Sequence, residues 1–297
     1  MPRTRIDPLT QAELLRSVEF VLAVAADGGI FGDRTYELLD PAGLSILAEY
    51  IWHYFFEDFA PFIVKNVLIP LQGAASQKVR IALVGDWGSG DYSPAGPAGD
   101  VMSQIQKLQP DYVIHLGDTY YSGTANEEKT NLLAGWGGVS GKSFTLNSNH
   151  EMYDGGFGYF KTSLGSSLFG AQQGASYFAL QYGDAAHGGP WTILALDTGY
   201  WSTSALVMDG SICDQTSSRH GSTAQLDFIS HLGLSPQKVI VLTHHNPISY
   251  DGSSVVQDSS GNDLLSQVGH SLGEPAAWYG GTCITPRFTP CRLSRVQ

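Results

Sequence analysis

From Lys78 onward the chain alternates short, nearly continuous apolar runs with amphipathic stretches. The runs Val79–Val84, Tyr112–Leu116, Thr192–Leu196 and Val239–Leu242 are of strand length and rich in Val and Ile, as expected of strands covered on both faces. Between the first two, Asp100–Leu108 places Val101, Ile105 and Leu108 at helical spacing. Before the last, Ser222–Leu232 opens with Ser222 and Gln225, a capping-box pair. Strand–helix–strand alternation predicts a layered α/β fold. Residues 1–77 follow a helical period instead. Thr10 and Glu13 form a capping box before Leu14, Leu15, Val18 and Leu22, and Asp40-Pro41 starts a second helix carrying Leu44, Leu47, Ala48, Ile51 and Phe55. The aromatics between Tyr50 and Phe62 read as a packing surface, with a partner-binding patch as the alternative. The Gly/Ser/Asp-rich segments 199–221 and 251–261 read as surface loops.

Composition narrows this picture. With 297 residues, 42% hydrophobic and 15% charged, the chain has ample material for a buried core, and its composition argues against wholesale disorder. A net charge of −12 argues against binding a nucleic-acid backbone. No apolar run approaches the roughly 18–20 residues of a membrane span. The stretch Phe20–Ala26 ends at Asp27-Gly28-Gly29 and lies too deep for a secretory signal, so a soluble cytoplasmic protein is expected. Cys213, Cys283 and Cys291 show no CxxC spacing and supply no disulfide framework.

The chemistry gathers at the predicted strand ends. Gly85-Asp86 closes the first strand, Gly117-Asp118 the second and Thr243-His244-His245 the last, while Asn149-His150-Glu151 follows the run Phe144-Thr145-Leu146. Ligands of open α/β sheets bind off the carboxyl ends of the strands, where these side chains would meet. Two Asp, an Asn and His form a hard-to-borderline ligand set that suits Mn, Zn or Fe better than Ca or Mg alone. One Asp at a strand end is most often a helix cap; the ordered set is far more restrictive.

With the motifs Gly85-Asp86-Trp87-Gly88, Gly117-Asp118-Thr119-Tyr120-Tyr121, Asn149-His150-Glu151 and Val241-Leu242-Thr243-His244 in this order, the chain resembles the calcineurin-like metallophosphoesterases, and specifically their purple acid phosphatase branch. The resemblance spans residues 78–282. It implies a four-layer sandwich of two mixed sheets flanked by helices, here preceded by the helical segment 1–77 and followed by a tail, 283–297. It also implies hydrolysis of a small phosphoester, whether monoester, diester or nucleotide, by water activated at two metal ions. Gly88 stands where many members carry His, and Tyr121 stands three residues after the second Asp. By resemblance, Asp86 and Tyr121 bind the first metal, Asp118 bridges both, and Asn149 and His244 bind the second. Tyrosinate favours iron at the first position, with iron, manganese or zinc at the other, and His150 contacts the phosphate or protonates the leaving oxygen. Tyr120 competes with Tyr121 for its role. His245 reads either as a group orienting His244 or as a packed strand-end residue, Asp197 as a turn former and His115 as a core residue. Trp87, Tyr153 and Trp201 read as core, with a pocket wall as the alternative.

Two departures stand out. Ser148 replaces the usual Gly before Asn-His, and the family's closing Gly-His-x-His is missing: Gly269-His270-Ser271-Leu272 offers one His and precedes Trp278-Tyr279. After Tyr279 the text runs Gly280-Gly281-Thr282-Cys283-Ile284-Thr285-Pro286, and the remainder, Arg287–Gln297, is basic. The degenerate codons for residues 281–286 permit Gly-His-Val-His-Asn-Ala in a shifted frame, so a frameshift near Gly280 is expected. Without those histidines the rival readings are an impaired member of the fold and a partner-binding scaffold. The coding DNA across Tyr279–Thr282 is expected to show a second frame encoding His-x-His; a frame without it would sink the idea.

Overall fold

The computed structural model describes residues 53, 59–71, 79–88, 97–136, 142–183, 190–202, 209–249, 254–258 and 260–281. The helices expected over residues 10–22 and 40–55 (residue 53 apart) and the tail lie outside them. Eight strands are described: β1 (Leu68–Pro70), β2 (Ile81–Val84), β3 (Tyr112–His115), β4 (Ser143–Thr145), β5 (Phe178–Tyr182), β6 (Trp191–Ala195), β7 (Val239–Thr243) and β8 (Ala277–Gly280). Five helices accompany them: α1 (Pro97–Leu108), α2 (Ala125–Glu127), α3 (Asn149–Tyr153), α4 (Ala224–Leu232) and α5 (Leu264–Leu272). Short turns of π-helix and 3₁₀-helix fill the intervals 128–133, 159–163 and 167–172.

Strands β2, β3 and β4 form a parallel sheet. The second sheet runs β1-β5-β6-β7-β8, parallel except between β5 and β6. The strands alternate their side chains between two apolar surfaces, which is why their sequences are nearly continuous in apolar residues. From the small sheet Tyr112, Ile114 and Phe144 face inward; from the large one Phe178, Leu180, Ala195 and Leu242 meet them. Phe144 and Phe178 stack at 5.0 Å between ring centroids. The other face of the large sheet, Ala179, Leu194, Val239, Val241 and Trp278, is covered by Phe228 and Ile229 of α4 and Leu264, Val268 and Leu272 of α5. Beyond the small sheet, Val113 packs with Met102 and Ile105 of α1 and with Trp87, Trp136 and Phe169. The order is helix, sheet, sheet, helix. The sandwich is therefore as expected, with the mixing of strand directions confined to the larger sheet among the described residues.

Two local expectations give way to tertiary demands. The capping box at Ser222 and Gln225 does not form: α4 begins after Thr223 without a side-chain cap. Ser222 donates to the carbonyl of Ser217, while the Gln225 amide bridges the backbone of Asp197 and Ile212. Within the segment read as helical, residues 68–70 form β1 and pair with β5; the strand is three residues long and ends in Pro, as an edge position allows. Truncating Phe144, fully buried between the sheets, is expected to cost about 3–5 kcal/mol, read as a lower urea midpoint for Phe144→Ala with unchanged slope.

Candidate metal centre

The loops leaving β2, β3, β4 and β7 meet in one seam between the sheets. Asp86 and Asp118 take the left-handed backbone conformation, at φ 53° and 70°, which Asp tolerates better than most residues. Gly117 is required where it stands: its φ is +103°, and a Cβ there would come 2.8 Å from Ser148 Cβ and 2.9 Å from His244 Nδ1. Across the seam, His244 Nδ1 lies 2.9 Å from the carbonyl of Leu116. A carbonyl can only accept, so Nδ1 carries a hydrogen and Nε2 is the nitrogen turned towards Asp118, 3.3 Å from its Oδ1. His150 is held in the same way, with Nδ1 2.6 Å from the Tyr121 carbonyl and Nε2 3.9 Å from Asp118 Oδ2.

Asp118 is the centre of this set. Burial opposes its ionisation, but the charges offered by His150 and His244 and hydrogen bonds involving Asp86 and Ser148 outweigh that cost and hold its carboxyl well below the usual range. Asp86, half-buried beside it, goes the other way. Burial and then the Asp118 charge push its carboxyl well up. The Tyr120 hydroxyl sits over both, 2.9 Å from Asp86 Oδ1 and 3.3 Å from Asp118 Oδ2. Beneath them, fully buried Glu151 accepts from the amides of Asp118 and Thr119 and touches the Ser148 hydroxyl, and its carboxyl is raised by burial and by Asp118.

The structure thus brings together Asp86, Asp118, Asn149, His150 and His244. Asn149 and His150 open α3, whose N-cap is Ser148. Asn149 directs Nδ2 towards the Tyr153 hydroxyl at 3.3 Å. Its buried Oδ1 has no hydrogen-bond partner among the described residues. Tyr121 contributes its backbone to the site, donating its amide to Glu127 Oε1 and accepting from His150. The tyrosine hydroxyl shown at the carboxylate pair is that of Tyr120.

The profile of calcineurin-like phosphoesterases (Metallophos) matches residues 79–279, from just before β2 into β8. The chain belongs to this family. Comparison with curated proteins returns no match. Calcineurin-like phosphoesterases are metal-dependent hydrolases that generally use two metal ions, so the donor set has to be tested for fit. Among the described residues no trio of His, Cys, Asp or Glu side chains is arranged to hold a metal ion. The donors that converge here include an amide and a phenol, and three features suit a cation: an ionised buried carboxylate, an imidazole nitrogen 3.3 Å from one of its oxygens, and the unsatisfied Asn149 oxygen. The set fits.

The remaining residues of this calcineurin-like phosphoesterase sort by contact. His245 is fully buried, with Nδ1 2.8 Å from Thr198 Oγ1. Asp197 accepts from the amides of Gly199 and Tyr200, the turn role expected of it, and also from Asn147 Nδ2, so it braces the loop before Asn149. Trp87 and Trp201 belong to core clusters, whereas Tyr153 packs its ring 5.0 Å from His150. Sequence reasoning assigns no role to Ser148 or Glu151, although Ser148 stands out as a departure from Gly and Glu151 lies within the Asn-His motif, and it weighs Tyr120 only as the competitor of Tyr121. His115 is buried in β3 against Trp136, and burial pushes its imidazole from 6.5 down to about 3. Its folded value lies below the unfolded one, so the unfolded chain takes up the proton first as pH falls. Stability from His115 is complete above about 6.5 and is lost between there and about 3. His115→Gln is expected to flatten the fall in urea-unfolding free energy over that window; an unaltered slope would remove His115 from the account.

Proposed function

We propose that this chain hydrolyses small phosphoesters at a dinuclear metal centre, as a member of the purple acid phosphatase-like branch. The observation that supports it best is the convergence on the buried Asp118 carboxylate, which lies within 3.3 Å of His244 Nε2 and shares the Tyr120 hydroxyl with Asp86. Asp86 and Asp118 would hold one metal, and Asp118, Asn149 and His244 the other, with Asp118 common to both. A tyrosine would complete the first set: Tyr121 by its place in the motif, Tyr120 by its contacts. Iron suits a phenolate donor, and iron, manganese or zinc suit the Asn/His side. When bound, two such ions acidify a coordinated water and draw charge from the phosphoryl oxygens.

The protein's own groups set the rest of the geometry. With Nδ1 committed to the Tyr121 carbonyl, His150 presents Nε2 on the Asp118 side of the half-buried mouth, where it can hold a phosphoryl oxygen or deliver a proton to the leaving oxygen. Tyr120 and Tyr153 pack edge-on against its ring at 4.6 and 5.0 Å and restrict its rotation. Asn149 keeps its amide oxygen free for a cation by committing its nitrogen to Tyr153.

The test is metal content and turnover of a generic aryl phosphate after reconstitution with iron, manganese or zinc. Asp118→Asn is expected to lose both bound metal and turnover. His150→Gln is expected to keep its metal and lose about 10²–10⁴-fold in kcat. Wild-type chain that holds no metal and shows no metal-dependent turnover would instead favour an impaired member of the fold.

A further inference from the structure

Ser148 occupies the place where the Asn-His motif usually carries Gly, and the structure shows a use for its hydroxyl. The side chain is fully buried. Its Oγ lies 2.5 Å from Asp118 Oδ1, contacts Glu151 Oε2, and accepts from the amides of Asp118 and His150 at 3.2 and 3.1 Å. One hydroxyl has a single hydrogen and two lone pairs. The two amides engage the lone pairs, so the hydrogen goes to a carboxylate. Glu151 already has the amide of Thr119 and shares that of Asp118 with Ser148, while the neighbours shown for Asp118 Oδ1 are Ser148 and His244 Nε2. The hydrogen therefore belongs with Asp118.

Room for this contact is made on two sides. A Cβ at Gly117 would come 2.8 Å from Ser148 Cβ, and one at Gly199 would come 2.5 Å from the Ser148 carbonyl oxygen. Ser148 also caps α3 by accepting from His150, so one oxygen ties the second motif to the third. We propose that Ser148 is a positioning residue for the metal centre: its hydroxyl fixes the rotamer of Asp118, so that the carboxylate stands ready to bridge two cations. The inference rests on the reading of Asp118 as a metal ligand. Hydrogen bonds of this kind to a ligating side chain are typically worth about 10–100-fold in metal affinity.

Isothermal titration of the full chain with Mn(II), for wild type, Ser148→Ala and Ser148→Gly, tests it. Both variants remove the hydroxyl; Gly also relieves packing and stands in should the Ala variant fail to fold. Each is expected to bind Mn(II) about 10–100-fold more weakly while keeping its circular dichroism. Saturating Mn(II) is expected to restore aryl phosphate turnover towards wild type, a rescue that a merely structural defect would not show. Wild-type affinity in a folded variant overturns the role of Ser148 alone. Wild-type chain that takes up no Mn(II) overturns the metal-centre reading and this inference with it.

Discussion

Asp118 keeps its charge while only 3% exposed, and the surrounding structure follows from that requirement. A lone carboxylate this far from water would take up a proton rather than bear the desolvation cost. Here it keeps its charge because two imidazoles and a serine hydroxyl face it, and each is aimed by a second bond. His244 is aimed by the Leu116 carbonyl, His150 by the Tyr121 carbonyl, and Ser148 by the amides it accepts from. Left-handed backbone at Asp118 and the absence of a Cβ at Gly117 bring these groups to one point. Such convergence is possible because β2, β3 and β4 run parallel and β7 delivers its end to the same seam.

Rigidity behind the seam comes from polar side chains that secondary structure does not use. Gln225 gives up a capping role to bridge Asp197 and Ile212, and Asp197 in turn holds Asn147. Buried polar groups are costly unless satisfied, and a satisfied network defines one arrangement. The loop carrying Asn149 is therefore fastened to the larger sheet, although its own strand belongs to the smaller one. A site on strand ends is only as accurate as the loops that leave them, and here the loops are tied across the interface.

Much of this arrangement is legible in the chain. Continuous Val/Ile runs mark β2, β3, β6 and β7 because apolar residues pack on both faces of each, although Leu83 and Trp191 remain exposed. The capping pair at Ser222 misleads because a long-range partner for Gln225 outweighs the local bond. β1 is only three residues long, and Pro70, Gln181 and Gly280 blur the patterns of β1, β5 and β8. At the site, ordered motifs mark Asp86, Asp118, Asn149, His150 and His244, all of which the fold gathers. The neighbours that hold them differ in kind. Ser148 and Glu151 matter through hydrogen bonds to backbone amides 30 or more residues away, which no local spacing encodes. Of two adjacent tyrosines the motif spacing favours Tyr121, whereas tertiary contact puts the Tyr120 hydroxyl at the carboxylates.

The opposite shifts of Asp86 and Asp118 show how much charge the seam supports on its own. Two carboxylates sharing one phenol cannot both ionise in a poorly hydrated place unless positive charge accompanies them. Asp118, faced by His150, His244 and the Ser148 hydroxyl, is held low, and Asp86, buried beside the Asp118 charge, is driven up. The two acids are best regarded as a coupled pair that retains a proton. A cation placed among their oxygens would substitute for that proton and let both ionise. The proton held between the two acids, together with the unsatisfied Asn149 oxygen, is a physical reason why this pocket of acids, amide and imidazole is suited to metal ions.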